Sequence, residues 1–406
     1  MRVEHLIESQ VQNIAMSEAE ATDLQVLGKT LASQSVWWGA PQAAPEDRTV
    51  IRCNRANKPD TWSVRVNEAI GIVAIPGLQL IIKPKIPTPH LFYLFEKSGQ
   101  FPRLEQRQVE ASIGDSLLEL VAEWFVSAAE LVLRRGLMRD YHETSQTIPF
   151  LRGRLDVPDA IRNYYAGRTD YRCNFENFGL DTPLNRVLKA AAREVLTNQL
   201  LRRKSDLRKR ATRITNRLTE VGRFQPSDLR TPIDRRTHYY RSVNLLAQQL
   251  LCSNGRHLSH GNAVSHTFLI RTPEMIEEGL RKVLKERCTE RTIYKKGIKA
   301  SSITFNPDIV IDDGSAIADV KYKLATNAWS RPDFNEVVTF AVAYRATHAA
   351  IVNFRSSDTS ALPDERVGNK TVVELSWPID GSISPDTAAS EIAGAFSRWM
   401  QKLALA

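Results

Sequence analysis

Residues 306–323 read Asn306-Pro-Asp-Ile-Val-Ile-Asp-Asp-Gly-Ser-Ala-Ile-Ala-Asp-Val-Lys-Tyr-Lys323. Two short apolar runs, Ile309-Val310-Ile311 and Ala316-Ile317-Ala318 with Val320, flank Asp313-Gly314, and that dipeptide between apolar runs signals a two-residue hairpin turn. Placing the turn there fixes the register. Ile311 then faces Ala316, Val310 faces Ile317, Ile309 faces Ala318, and Asp308 faces Asp319. Two carboxylates opposed beside an apolar layer repel each other, so the hairpin calls for positive charge between them, and a divalent cation would supply it. Lys321, two residues beyond Asp319, projects from the same strand face.

Two acids and a lysine on one face suit metal-assisted phosphodiester hydrolysis. Hard carboxylate oxygens hold Mg²⁺, the metal polarises the phosphate and acidifies a water, and the lysine orients that water or offsets developing charge. Pro307-Asp308 followed eleven positions later by Asp319-x-Lys321 resembles the signature of the PD-(D/E)xK nuclease superfamily. Each half has a bland alternative. Pro-Asp is a common turn dipeptide, and Asp-x-Lys on a strand is usually a solvated ion-paired face; only the hairpin register joins them. The preceding amphipathic stretch Pro273–Arg287 turns Met275, Ile276, Leu280, Val283 and Leu284 inward and carries Glu274, Glu277 and Glu278. In that superfamily such a helix commonly contributes a further carboxylate. Glu277, flanked by the apolar face, is the candidate, with an exposed helix charge as the alternative.

The chain has 406 residues, enough for two or three domains. Lys and Arg number 55 against 46 Asp and Glu, and the resulting +9 favours a polyanionic partner without requiring one. Cys53, Cys173, Cys252 and Cys288 are far apart with no Cys-x-x-Cys pair, which argues against a zinc finger and for a reducing compartment. No apolar run approaches membrane length and no signal-peptide core opens the chain, so a cytoplasmic protein without a membrane contact is expected.

The organisation expected is α/β and α+β multidomain. Residues 1–105 read as a β-rich N-terminal domain, with strand-like runs at Ile51, Trp62, Ile70 and Leu78 and a tight turn at Pro76-Gly77. Residues 106–262 read as a mainly helical middle region. It holds a long helix through Trp124 and Phe125, an extended pair of strands over Tyr141–Asp156 with Arg152 and Arg154, a helix N-capped by Asp181, and a basic stretch from Leu201 to Arg217. That stretch is either a phosphate-backbone contact or a solvated face. A polar segment over 252–266 containing His257, His260 and His266 reads as a loop and boundary, and residues 263–406 as the α/β core around the hairpin. Lys83 and Lys85 are either partner contacts or a solvated strand edge.

In order, the pieces resemble the McrC family, the nuclease subunit of McrBC-type modification-dependent restriction systems. The matching stretches are Gly71-Ile-Val with Ile81-Ile-Lys-Pro-Lys-Ile, Leu91-Phe-Tyr-Leu-Phe, Pro149-Phe-Leu-Arg-Gly-Arg-Leu-Asp, Asp181-Thr-Pro-Leu-Asn-Arg-Val-Leu-Lys, and Asn306-Pro-Asp-Ile-Val with Asp319-Val-Lys-Tyr-Lys. The resemblance implies an N-terminal region that docks on an McrB-like AAA+ GTPase hexamer and stimulates GTP hydrolysis. It also implies a C-terminal PD-(D/E)xK-type, Mg²⁺-dependent endonuclease acting on double-stranded DNA. Asp308, Asp319 and Lys321 fall on its nuclease motif, and Glu277 on the helix carboxylate. Glu336 and Phe340 stand where many relatives carry Gln and Tyr in the helix after the hairpin. No Walker motif occurs, so GTP is left to the partner. A non-catalytic adaptor that only activates the ring, and a stand-alone DNA-repair nuclease, are the rival readings.

Overall fold

Ile309–Ile311 and Ala316–Leu324 are adjacent antiparallel strands, with Ile309 opposite Ala318, Val310 opposite Ile317 and Ile311 opposite Ala316. The turn follows from its residues. Asp313 and Gly314 take positive φ (57° and 97°), as a mirror-image hairpin turn requires, and the Ser315 amide donates to the Asp312 carbonyl at 3.3 Å. Asp312 is also left-handed (φ 45°), a conformation Asp tolerates better than most residues. Its carboxylate is pinned by the Thr292 amide at 2.9 Å and Arg291 at 2.8 Å. Ile309, Val310 and Ile311 are all fully buried, each contributing about 2 kcal/mol of hydrophobic stabilisation.

A computed structural model of the chain describes residues 2–32, 49–99, 117–198, 201–253 and 268–404. The architecture is mixed α/β, and the chain divides into two compact units, Met1–Leu118 with Arg256–Ala406, and Glu119–Gly255. The segment with His257, His260 and His266, and the boundaries expected near residues 105 and 262, lie outside the described residues.

In the first unit the hairpin sits in a six-stranded sheet ordered Ile293–Tyr294, Ile309–Ile311, Ala316–Leu324, His348–Arg355, Lys370–Pro378, Glu365–Val367. Ala316–Leu324, His348–Arg355 and Lys370–Pro378 run parallel, and their almost continuous apolar burial is what a sheet covered on both faces demands. The helix Arg331–Tyr344 covers Ile317, Ala349, Ile351 and Val372 with Val337 and Ala341. The helix Pro385–Ala404 packs on Lys370–Pro378 and against the helix Pro273–Arg287. Between Val320 and Leu324 the pairing with His348–Arg355 shifts register, a bulge beside Lys321 of the kind that re-aims side chains at sites.

The N-terminal residues of the same unit form two small sheets over one apolar core built on Leu24, Val64, Val73, Ile75, Leu78 and Leu80. One is ordered Gln12–Ala15, Thr61–Val66, Ile51–Arg55. The other is ordered Arg2–Ile7, Leu78–Lys83, Ala69–Ile75, Phe268–Arg271. Its last strand leads straight into the helix Pro273–Arg287. That helix is further seated at Gly279, where a β-carbon would collide with the Leu94 carbonyl of the helix Thr88–Lys97. At its start Thr272 donates its hydroxyl to Glu8, a fully buried acid whose pKa is raised by burial.

The second unit holds the helices Leu117–Arg135, Pro183–Thr197, Ser205–Arg217 and Arg241–Ser253 with a three-stranded sheet. Two sequence-based expectations do not hold in this unit. Asp140–Ile148 and Arg154–Leu155 do not pair with each other, because Tyr171–Gly179 lies between them and pairs with both. The cap of Pro183–Thr197 is Thr182, whose hydroxyl takes the Asn185 amide, while Asp181 is drawn away by the Gly222 amide and Arg186. Within the basic helix, Arg210 is spent internally on Glu123, Ser127 and Glu130.

Candidate active site

Asp308 opens the first hairpin strand and is 7 % exposed; Asp319, on the second, is 4 % exposed. The ladder itself ends at Ile309 and Ala318, so the two acids are not a ladder pair as the ideal register would make them. Asp308 turns Oδ2 onto the Val320 amide at 3.0 Å, which gives the carboxylate a donor although the Asp319 charge stays nearby. Its backbone carbonyl accepts from Arg281 at 2.7 Å, tying the hairpin to the helix Pro273–Arg287.

Lys321 lies on the Asp319 side of its strand, its Nζ 2.6 Å from Asp319 Oδ2 and 2.7 Å from Glu336 Oε2. Asp319 Oδ2 nevertheless lacks a well-directed hydrogen bond, so the Lys321 contact is an ion contact with poor angles. Glu277 comes from the helix. It shares one ammonium with Asp308, since Lys295 Nζ lies 3.3 Å from Glu277 Oε2 and 2.9 Å from Asp308 Oδ1. Glu278, by contrast, is occupied by Arg281 and Lys282 along its own helix.

Crowding shows in the acidities. Burial, then the Asp308 charge, pushes Glu277 up to about 8, against the relief given by Lys295. Burial and Asp308 likewise raise Asp319 to about 7, with Lys321 acting the other way. Burial opposes the charge on Lys321, but Asp319 and Glu336 outweigh it and hold its pKa above the usual lysine value. Lys295 behaves similarly under Asp308 and Glu277. Such displaced acidities arise where like charges are held together against solvation, which is typical of functional sites.

Among the described residues no three His, Cys, Asp or Glu side chains stand close enough together, as placed, to hold a metal ion. The donor chemistry still fits a hard divalent cation. It is oxygen-only, burial and the Asp308 charge raise the pKa of both Glu277 and Asp319, and ammonium groups already sit against the acids. Glu277, Asp308 and Asp319 are the residues whose oxygens could be offered to such an ion.

Lys295 and Glu336 were not assigned roles from sequence. Lys295 follows the two-residue strand Ile293–Tyr294, in which Tyr294 pairs with Val310; continuing that register by one step puts Lys295 beside the start of the hairpin. Lys85, weighed as a partner contact, lies with Nζ 3.9 Å from the Tyr322 ring centroid, and Arg152 stacks over Phe175 at 4.1 Å. Cys53, Cys173 and Cys288 are buried free thiols. Among the described residues no helix is long and apolar enough to cross a membrane.

Known proteins resemble this chain in sequence and in fold. Residues 64–352 match the family model described as "McrBC 5-methylcytosine restriction system component". A 120-residue segment is 25 % identical to the Type IV methyl-directed restriction enzyme EcoKMcrBC of Escherichia coli (strain K12), covering 29 % of this chain and 34 % of that protein. The match thus spans about a third of the curated relative's length. In fold, the chain resembles one from the refined half-complex of Thermococcus gammatolerans McrB AAA+ hexamers with bound McrC. The TM-score is 0.61 at 16 % identity, covering 98 % of this chain and 100 % of that one.

Proposed function

Because the chain belongs to the McrBC 5-methylcytosine restriction system component family, we propose that it is the DNA-cutting subunit of an McrBC-like, GTP-dependent restriction system. It works in the cytoplasm as a Mg²⁺-dependent endonuclease with a PD-(D/E)xK-type core, docked on an McrB-like AAA+ GTPase hexamer that binds the GTP. The observation that carries the nuclease role is the convergence of Asp308, Asp319 and Lys321 at one end of the hairpin, with Glu277 sharing a cation with Asp308.

Bound magnesium would supply Lewis-acid polarisation of the phosphate and a more acidic water. The chain's own groups do the rest. Glu277, Asp308 and Asp319 provide anionic oxygens, and the Val320 amide holds the Asp308 carboxylate in one orientation. Lys321, steadied by Asp319 and Glu336, keeps its proton and presents positive charge where the phosphorane-like charge builds.

The docking role expected of residues 1–105 extends to the module Asp140–Gly179. There Phe150, Leu151, Tyr164 and Tyr165 are 60–84 % exposed, apolar side chains that a docked partner could cover. The test is reconstitution with the AAA+ partner, GTP and Mg²⁺. Asp308→Ala, Asp319→Ala and Lys321→Ala should each abolish DNA cutting and leave stimulated GTP hydrolysis intact. Cutting at the unmodified rate by all three rejects the site, and GTPase stimulation without cutting by the unmodified chain supports the adaptor role instead.

A further inference from the structure

Two lysines meet the acids, and they are held differently. Lys321 is gripped from both sides, by Asp319 on its own strand and by Glu336 on the helix Arg331–Tyr344. Lys295 contacts Glu277 and Asp308, the same carboxylates proposed to grip the metal. It sits just past a two-residue edge strand, its side chain is 33 % exposed, and its four-carbon stem can swing the ammonium into solvent without moving the backbone.

We propose that Lys295 is an internal stand-in for the catalytic cation: its ammonium bridges Glu277 and Asp308 in the metal-free protein and leaves when a divalent ion enters. The inference rests on the metal site described above and adds to it. A positive charge between two largely buried acids lets the site fold and persist without metal, where bare acids would repel. It also makes Lys295 a competitor, because the oxygens it occupies, Asp308 Oδ1 and Glu277 Oε2, are ones the ion needs. The site is thereby kept intact without metal, at the expense of metal affinity.

The measurement is calcium binding by titration calorimetry on the full chain without DNA, at pH 9 so that the carboxylates are charged. Calcium is chosen because it takes the same oxygen donors. Lys295→Met should bind Ca²⁺ about tenfold more tightly than the unmodified chain, and Ca²⁺ should raise its melting temperature by more. Equal or weaker binding by Lys295→Met overturns the proposal. If Lys295→Met does not fold, Lys295→Gln, which keeps a donor and loses the charge, carries the same expectation and the same rejection. Asp308→Ala separates the two levels. Unchanged binding in that variant removes the metal site itself, whereas loss of binding in Asp308→Ala without tightening in the Lys295 variants removes only the stand-in.

Discussion

Two clusters of buried charge in this molecule are built on opposite plans. In the middle unit, Arg186 forks onto Asp228 with two bonds of 3.1 Å and reaches Asp181 at 3.1 Å. The Gly222 and Gln225 amides, at 2.9 and 2.8 Å, complete the same two acids. A planar guanidinium and rigid backbone donors satisfy both carboxylates, and the cluster pins Pro183–Thr197 to the turn Pro226–Arg230. At the hairpin, four acids, Glu277, Asp308, Asp319 and Glu336, share the ammonium groups of Lys295 and Lys321, and Asp319 Oδ2 lacks a well-directed donor. The first arrangement supports a fold; the second holds buried acids against one another with their charge only partly offset, which is what the proposed metal site rests on.

That contrast predicts that removing charge at the two places has opposite consequences. The largest effect is on activity. Asp319→Asn in the reconstituted complex should slow DNA cleavage by at least roughly a thousandfold, while urea unfolding shows stability equal to or above that of the unmodified chain. A marked loss of stability instead would make the hairpin acids structural and erase the contrast.

Next comes stability in the other cluster. Arg186→Ala leaves Asp228, which is 4 % exposed, without its guanidinium, and should lower unfolding stability by about 3 kcal/mol. A change within the error of denaturant titration would show that Arg186 does not hold the helix down.

The third prediction concerns pH. Glu277 and Asp319 titrate near 8 and 7 in the folded chain, above their ordinary values of 4.5 and 3.8. Their protonated forms therefore favour the fold. That stabilisation is full below the ordinary values and is lost as pH rises through 7 to 8. The melting temperature of the metal-free protein should fall across this window, and Glu277→Gln should flatten the fall. An unaltered profile in that variant would place the pH response elsewhere.

The smallest effect is expected at Glu336, whose side chain is 48 % exposed. Glu336→Gln should change stability by no more than about 0.5 kcal/mol but loosen Lys321, lowering cleavage several-fold with little change in GTP hydrolysis. Cleavage at the unmodified rate would leave Asp319 as the sole support of that lysine.

The hairpin was legible because its signals are local. Asp313-Gly314 sets the register, and the two-residue period carries Asp319 and Lys321 to one face. The helix Pro273–Arg287 was legible from its apolar stripe, all five inward residues being buried. What stayed hidden depends on partners distant in sequence. Phe268–Arg271 pairs with Ala69–Ile75, some two hundred residues earlier, and Tyr171–Gly179 inserts between strands that looked adjacent. Lys295 carries no motif, and only the pairing of Ile293–Tyr294 with the hairpin brings it to Asp308. The ladder stops one pair short of Asp308 and Asp319, and the contact of the Asp308 carboxylate with the Val320 amide is a side-chain choice that no local pattern announces.

Glu277, Asp308 and Asp319 are proposed to seat a divalent ion together. Crystals of the chain grown with saturating Mn²⁺, measured for anomalous scattering, test it most directly. A manganese peak within coordination distance of Asp308 and Asp319 is the predicted result. Data showing no peak at the hairpin, with the acids still paired to Lys295 and Lys321, would contradict it.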